Sequence, residues 1–231
     1  MEEKNTIKFK KNEFEIREYI KNSIGKGKVS KVRIEYTPVG EKIVVSTHKP
    51  GLIIGRRGEK INELTEVLKT KFKLENPQID IDEILHPEFD AQLMADEIAL
   101  GIEKLGPMKF KVIAYKTLQR IMKAGAQGVE LRLSGKLPSS RAKTWRFAQG
   151  YLKKTGDAAK LVDRAQARAE TKPGTVGIKA SILAPNVKMI DRIIVDDKMI
   201  ETLKENADRE EKTKKVGLNK LNLKKINKGN K

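Results

Sequence analysis

Four residues, Gly55-Arg56-Arg57-Gly58, combine types and a spacing that could hold an anion. Glycine lacks a Cβ, so the backbone can turn tightly there and a second backbone can come close. The apolar run Leu52-Ile53-Ile54 leads into the loop, and Ile61, Leu64, Leu68 and Phe72 predict a helix that opens directly after it. The free N–H groups and dipole of a helix start favour negative charge. Arg56 and Arg57 add two guanidinium forks that match phosphate geometry, and Lys60 adds a further cation. A helix that simply caps and turns gives the same four residues, so the flanks must decide.

Other chemistry is sparse. His48 and His86 fall at a strand end and before Pro87, with no triad or metal spacing around them, and read as turn or surface residues. Asp80, Asp82 and Glu83 read as a solvated strand face, since three carboxylates without a histidine or a turn glycine do not specify a metal. There is no cysteine, hence no disulfide or thiolate site. No G-x-x-x-x-G-K-[ST] stretch offers a nucleotide phosphate loop. The expectation is no catalytic residue, no metal and no cofactor. A nucleic-acid lyase or nuclease is the rival reading. A lyase needs a lysine of lowered pKa in a pocket, and incubation with abasic or intact nucleic acid discriminates.

The 231 residues suffice for about two domains. A net charge of +18 and a pI near 9.8 direct the chain to a polyanion, with nucleic acid the first candidate and an anionic membrane surface the second. No apolar run approaches the ~20 residues of a membrane span, and the N-terminus lacks a signal-peptide core. A cytoplasmic location without a membrane partner is the expectation. Aromatics make up only 5%, so stacking of bases on exposed rings is not the main binding term.

The elements that must position the loop can be read in order. Ile16, Tyr19, Ile20 and Ile24 predict a helix over 11–24, ended by Gly25-Lys26-Gly27. Residues 31–36 and 41–46 alternate as strands, joined by the turn Thr37-Pro38-Val39-Gly40. A short helix from about Pro50 precedes the glycine loop, the next helix spans 58–73, and 78–82 form a third strand. The order is helix, strand, strand, helix, G-x-x-G, helix, strand. It is the arrangement of a type II KH module, whose G-x-x-G loop clamps a nucleic-acid backbone.

Phe89, Leu93, Met94, Ile98, Ile102 and Leu105 then predict a helix over 89–105, closed by Gly106-Pro107. A second helix over 109–124 turns Val112, Leu118, Ile121 and Met122 inward. Its other face stacks Lys109, Lys116, Arg120 and Lys123, spaced by seven, four and three. From Lys104 to Lys154 there are thirteen basic residues against one acid, Glu130. Most soluble surfaces mix signs, so this stripe reads as a phosphate track. Gly125 and Gly128 bracket the boundary before a strand over 129–133. Ser139 caps a short predicted helix bearing Arg141, Lys143, Trp145 and Arg146, with Trp145 a core anchor. Alternation of Ala165, Ala167 and Ala169 with Arg164, Gln166 and Arg168 predicts a strand although alanine prefers helix. Residues 172–174 turn, 175–183 form another strand, and Gly177 marks a bulge or close approach. Residues 187–201 read as a helix or an arm. From about 204 the chain is rich in lysine and asparagine, with eight lysines and no acid after Glu211. It reads as disordered until it meets a polyanion.

Several stretches together resemble one family. Residues 35–58, including Leu52-Ile53-Ile54-Gly55-Arg56-Arg57-Gly58, are similar to the KH core of the universal small-ribosomal-subunit protein number three in its archaeal and eukaryotic form. Residues 91–99 resemble its linking helix, 121–137 the start of its second domain, and 175–182 its closing strand. The resemblance runs from about residue 14 to 185. It implies an α+β chain with a type II KH domain (αββααβ) at 14–86, linking helices with a basic face at 87–124, a second small α/β-sheet domain at 125–201 and a basic disordered tail at 202–231. It also implies a structural constituent of the small subunit that binds rRNA in the subunit head, contacts neighbouring head proteins and lines the channel by which mRNA enters. Basic residues there are linked to unwinding of mRNA. The matching positions are Lys111, Lys116, Arg120 and Lys123, then Arg132, Arg141, Lys143 and Arg146. A free-standing KH regulator of mRNA is the second rival, separable by co-sedimentation with small subunits.

Overall fold

The computed structural model describes residues 2–187 and 189, apart from 39 and 138. The regions read as an arm or helix at 187–201 and as a tail at 202–231 therefore lie almost wholly outside the described residues.

The first half follows the anticipated order: α1 (Glu2–Ile24), β1 (Val29–Thr37), β2 (Gly40–Thr47), α2 (Pro50–Ile54), the glycine loop, α3 (Glu59–Phe72) and β3 (Gln78–Glu83). The strands lie in the order β1-β2-β3, with β1 antiparallel and β3 parallel to β2. A two-residue turn suffices for the antiparallel pair, whereas the parallel strand requires a long crossover, and α2, the loop and α3 supply it. Ile16 and Ile20 of α1 and Leu68 of α3 close a core with Val32, Ile43, Val45 and Ile53. Helix α1 begins at Glu2, well before the predicted residue 11. Its added turns expose Ile7 and Phe9, so the apolar spacing that marks 16–24 does not extend to them.

In the second half, α4 (Ala91–Leu105) and α5 (Phe110–Lys123) cover one face of a four-stranded antiparallel sheet of order β5-β4-β7-β6. The strands are β4 (Gly128–Gly135), β5 (Lys143–Gly150), β6 (Asp163–Thr171) and β7 (Gly174–Leu183). Both helices and the sheet share one core. Asp90 starts α4 by accepting the backbone N–H groups of Gln92 (2.9 Å) and Leu93 (3.1 Å). Gly106 ends it at φ 87°. The alternation in β6 decides as expected: Ala165 and Ala169 are buried beneath the helices, and their small size lets α4 lie close to the strand.

Three expectations need correction. The short helix predicted after Ser139 is strand β5, because Trp145 and Phe147 alternate inward with Thr144 and Arg146 outward and pair with β4. Val112 is exposed, not inward, because Phe110, Ala114, Leu118 and Ile121 set the buried face of α5. Leu105 is also exposed, at the last residue of α4, and Phe89 sits in the 3-10 turn before that helix.

Carboxylates of the second half bind both layers at once. Asp163 accepts Lys31 Nζ (3.1 Å) and the N–H of Ala91 (2.9 Å), and Glu103 accepts Lys26 Nζ (3.2 Å) and the N–H of Glu170 (2.9 Å). Asp96 accepts the N–H of Gly27 (3.1 Å) and Gln92 Nε2 (3.0 Å), and Asp90 also accepts the Ser30 hydroxyl. Burial raises the Asp96 pKa, partly offset by those two hydrogen bonds.

Gly128 is where the sheet tolerates no side chain. A Cβ there would lie 1.9 Å from the carbonyl oxygen of Tyr151, on the chain leaving β5. Gly128→Ala is expected to cost on the order of 2 kcal/mol, as overpacking against backbone does. Gly51→Ala, with open space around it, should be near neutral. Urea unfolding of the two variants checks this, and equal stability would refute the close approach.

Candidate nucleic-acid interface

The glycine loop is a left-handed turn between helices. Pro50 begins α2, where its missing N–H costs nothing. Gly55 then reverses the chain at φ 74°, Arg57 at φ 53° and Gly58 at φ 79°. Two positive-φ glycines in four residues explain the motif's spacing. Lys60 lays its side chain against Gly55, where a Cβ would come within 2.9 Å of its Cγ, whereas a Cβ on Gly58 would meet open space. Gly58 is the N-cap of α3 and carries no capping side chain, which suits the start of that helix to an outside acceptor. Arg56, Arg57 and Lys60 are all exposed around it.

The cations of the second half do not converge on one surface. Lys111, Lys116 and Lys123 project from the outer face of α5. Lys111 Nζ stands 4.7 Å over the ring of Trp145, which itself packs on Phe110. Arg120, on the same helix, is engaged: its guanidinium donates to both carboxylate oxygens of Glu97 on α4, one bond at 2.7 Å. That hydrogen-bonded pair raises the Arg120 pKa despite partial desolvation. Met108, Val112 and Tyr115 are exposed among these lysines.

Arg132 and Arg146 lie on the opposite side of the sheet. In β4, Val129, Leu131 and Leu133 are buried beneath the helices, so Glu130 and Arg132 point the other way. Arg146 is the direct partner of Arg132 on β5. Lys143 shares the helix-side parity of Trp145 and Phe147 at the exposed start of β5, and Arg141 is exposed in the preceding loop.

Glu130 is the charge hub of that open face. Its carboxylate, only 5% exposed, accepts Lys154 Nζ (2.8 Å), Arg146 Nη2 (3.1 Å) and Arg132 Nε. Burial alone would raise its pKa, but the hydrogen bonds from Lys154, Arg146 and Arg132 outweigh it and hold the group at about 2. Lys154 belongs to the site and was not singled out in the sequence, because it leaves β5 in an irregular segment without periodicity. Lys179 and Arg164 share the face as well, and the outward parity of β6 and β7 was the available signal.

Among the described residues, no group of three His, Asp or Glu side chains could hold a metal ion, and no helix is long and apolar enough to cross a membrane. Lys42 Nζ binds Asp80 (2.8 Å) and the Ser46 hydroxyl donates to Asp82 (3.1 Å). His48 and His86 are exposed, and His86 packs beside Phe89.

A group held at about 2 when folded and near 4.5 when unfolded stabilises the fold fully above the higher value and loses that contribution as pH falls toward the lower. Allowing for solvent around its half-exposed partners, the contribution is roughly 2 kcal/mol. Stability should therefore drop between these pH values, and Glu130→Gln should be less stable at neutral pH and flatter across the acid range. Urea melts from neutral to acid pH test it; identical profiles would remove Glu130 from that role.

Residues 15–89 match the KH domain family and residues 98–182 match the family described as "Ribosomal protein S3, C-terminal domain". The chain is 42% identical over 183 residues to the small ribosomal subunit protein uS3 of Methanocaldococcus jannaschii, covering 79% of this chain and 87% of that one. It is 35% identical over 209 residues to the uS3 protein of Methanococcus aeolicus, covering 90% of this chain and all of that one. With its KH loop, its second sheet domain and relatives matched over most of their length, the chain belongs to the small ribosomal subunit protein uS3 family.

Proposed function

We propose that the chain binds rRNA in the head of the small ribosomal subunit and borders the path by which mRNA enters. Family membership supports an RNA-binding role in translation, in a particle built with other proteins. The observation that carries the finer reading is the glycine loop: an uncapped helix start, an open Gly58 and two exposed guanidiniums around it. Phosphate contacts from Lys and Arg supply most of the affinity, and the loop fixes where the backbone lies. Lys111, Lys116 and Lys123 are the cations offered to mRNA by α5, with Lys143 and Arg141 at its flank. Arg120 supports them as a brace between α4 and α5. The energy for opening mRNA structure comes from elongation, so the chain needs no nucleotide or other cofactor and acts as a structural component, not an enzyme.

The deciding experiment is sedimentation of the tagged full chain with small subunits through a high-salt gradient, beside Arg56→Asp with Arg57→Asp. Aspartate tolerates the left-handed backbone at 57, so the exchange alters charge without unfolding the turn. The native chain should travel with the subunit. The double variant should bind RNA oligomers more weakly, with a salt dependence shallower by about 1.4 in log–log slope for two lost contacts. A native chain found outside the particle sinks the reading; unchanged RNA binding by the variant limits the loop to a structural role.

Alanine at Lys111, Lys116 and Lys123 should slow translation of hairpin-containing mRNA several-fold more than that of unstructured mRNA. Ribosome profiling or a reporter pair measures the ratio. Equal slowing of both would assign these lysines to rRNA.

A further inference from the structure

The free face of the second sheet carries like charges in register. Arg146, Arg132 and Lys179 are direct cross-strand partners on β5, β4 and β7. In the adjacent row Glu130 faces Ser181, which faces Arg164 on β6. Neighbouring strands lie about 4.8 Å apart, and like charges directly opposite one another are destabilising. Glu130 relieves part of this by binding Arg132, Arg146 and Lys154. Lys179 and Arg164 have no acidic partner among the described residues, and both line the same bowl of about 280 Å³ as Glu130, Arg132 and Lys154. Around the bowl, five cations therefore face one buried carboxylate. Glu170, the other acid on this face, is at the far end of β6 beside Arg168.

We propose that this sheet face is a second phosphodiester-binding surface, back to back with the basic face of α5, so that the domain holds two separate RNA segments at once. It rests on the RNA-binding reading above and extends it to residues 154, 164 and 179. The α4–α5 layer and the sheet stand between the two surfaces, so a single strand crossing one does not continue onto the other. Glu130 acts as a positioning residue: it fixes two guanidiniums and an ammonium at one spot while neutralising only one of their charges. The result is a preorganised cluster, which lowers the ordering cost of binding. RNA is favoured over an acidic protein segment because Arg132 and Arg146 are planar forks held in a fixed row. That geometry suits the closely repeated phosphates of a nucleic-acid backbone.

The test uses the full chain and a fluorescent single-stranded RNA 20-mer, with four forms compared: native, Arg164→Gln with Lys179→Gln, Lys116→Gln with Lys123→Gln, and all four together. Glutamine removes a contact without adding repulsion. Residues 164 and 179 are exposed and outside the Glu130 ion pairs, so the fold should persist, as circular dichroism would verify. Each pair should weaken its own surface about ten-fold and flatten the log–log salt slope of that class of site by about 1.4 while the other surface keeps native affinity, and the combined variant should lose both classes, as independent sites do. Donor- and acceptor-labelled 20-mers should show energy transfer on the native chain, and the sheet-face pair should lose most of it. An unchanged number of RNA molecules bound on changing 164 and 179 overturns the inference, as does a combined variant that binds as much RNA as either pair. Loss of binding to polyglutamate but not to RNA would also overturn it, in favour of a protein partner. If the native chain binds no RNA, the reading under Proposed function fails too; if only the sheet-face pair is silent, this inference alone fails.

Discussion

Helix α4 is the constraint that the rest of the described structure obeys. Its apolar residues are buried around most of its circumference, with Ala91, Ala95 and Ala99 permitting close packing. Two of its three carboxylates reach the first half of the chain, Asp96 to the backbone of Gly27 and Glu103 to Lys26, and the third, Glu97, holds Arg120 of α5. A helix fixed on both sides gives the KH layer and the second sheet a shared wall. Replacing water around a buried carboxylate requires hydrogen bonding, and Asp96 meets it with the N–H of Gly27 from the first half and Nε2 of Gln92 one turn earlier on α4. The orientation of the two halves is therefore written in a few polar contacts on an otherwise apolar helix.

Charge alone does not mark an RNA contact in a chain of this composition. Arg120 belongs to the basic stripe of α5 by spacing, but it is tied to Glu97 and braces two helices. Lys31 and Lys26 likewise serve packing through Asp163 and Glu103. The cations left over for a polyanion are distinguished by exposure and by the absence of an acidic partner, or by a partner such as Glu130 that is outnumbered. Electrostatic attraction to nucleic acid is long-ranged and sequence-independent, so which cations are already neutralised inside the fold decides where that attraction is focused.

The glycine loop shows the opposite case, in which local chemistry is sufficient. Positive φ at Gly55 and Gly58, a proline at the start of α2 and an apolar periodicity in α3 are each properties of a few adjacent residues. Arg57 in the left-handed region is the one departure from easy backbone geometry. It directs its side chain outward at the turn, where it is exposed.

The sequence by itself therefore determined the KH order, the loop, both long helices of the second half and the strands β4, β6 and β7. These depend on residues that follow one another closely, through periods of two or 3.6 and through glycine and proline. It misplaced β5 as a helix, because Ser139 imitates a cap and the strand is identified by its pairing with β4. It turned Val112 inward because a partner surface, and not spacing alone, selects the buried side of α5. Only the tertiary structure divided the cations. Strand order β5-β4-β7-β6 brings Arg146, Arg132 and Lys179 into one row and sets them behind the sheet from Lys111, Lys116 and Lys123. Such rows join residues far apart in the chain, and register between strands is a property of the packed sheet that no single segment carries.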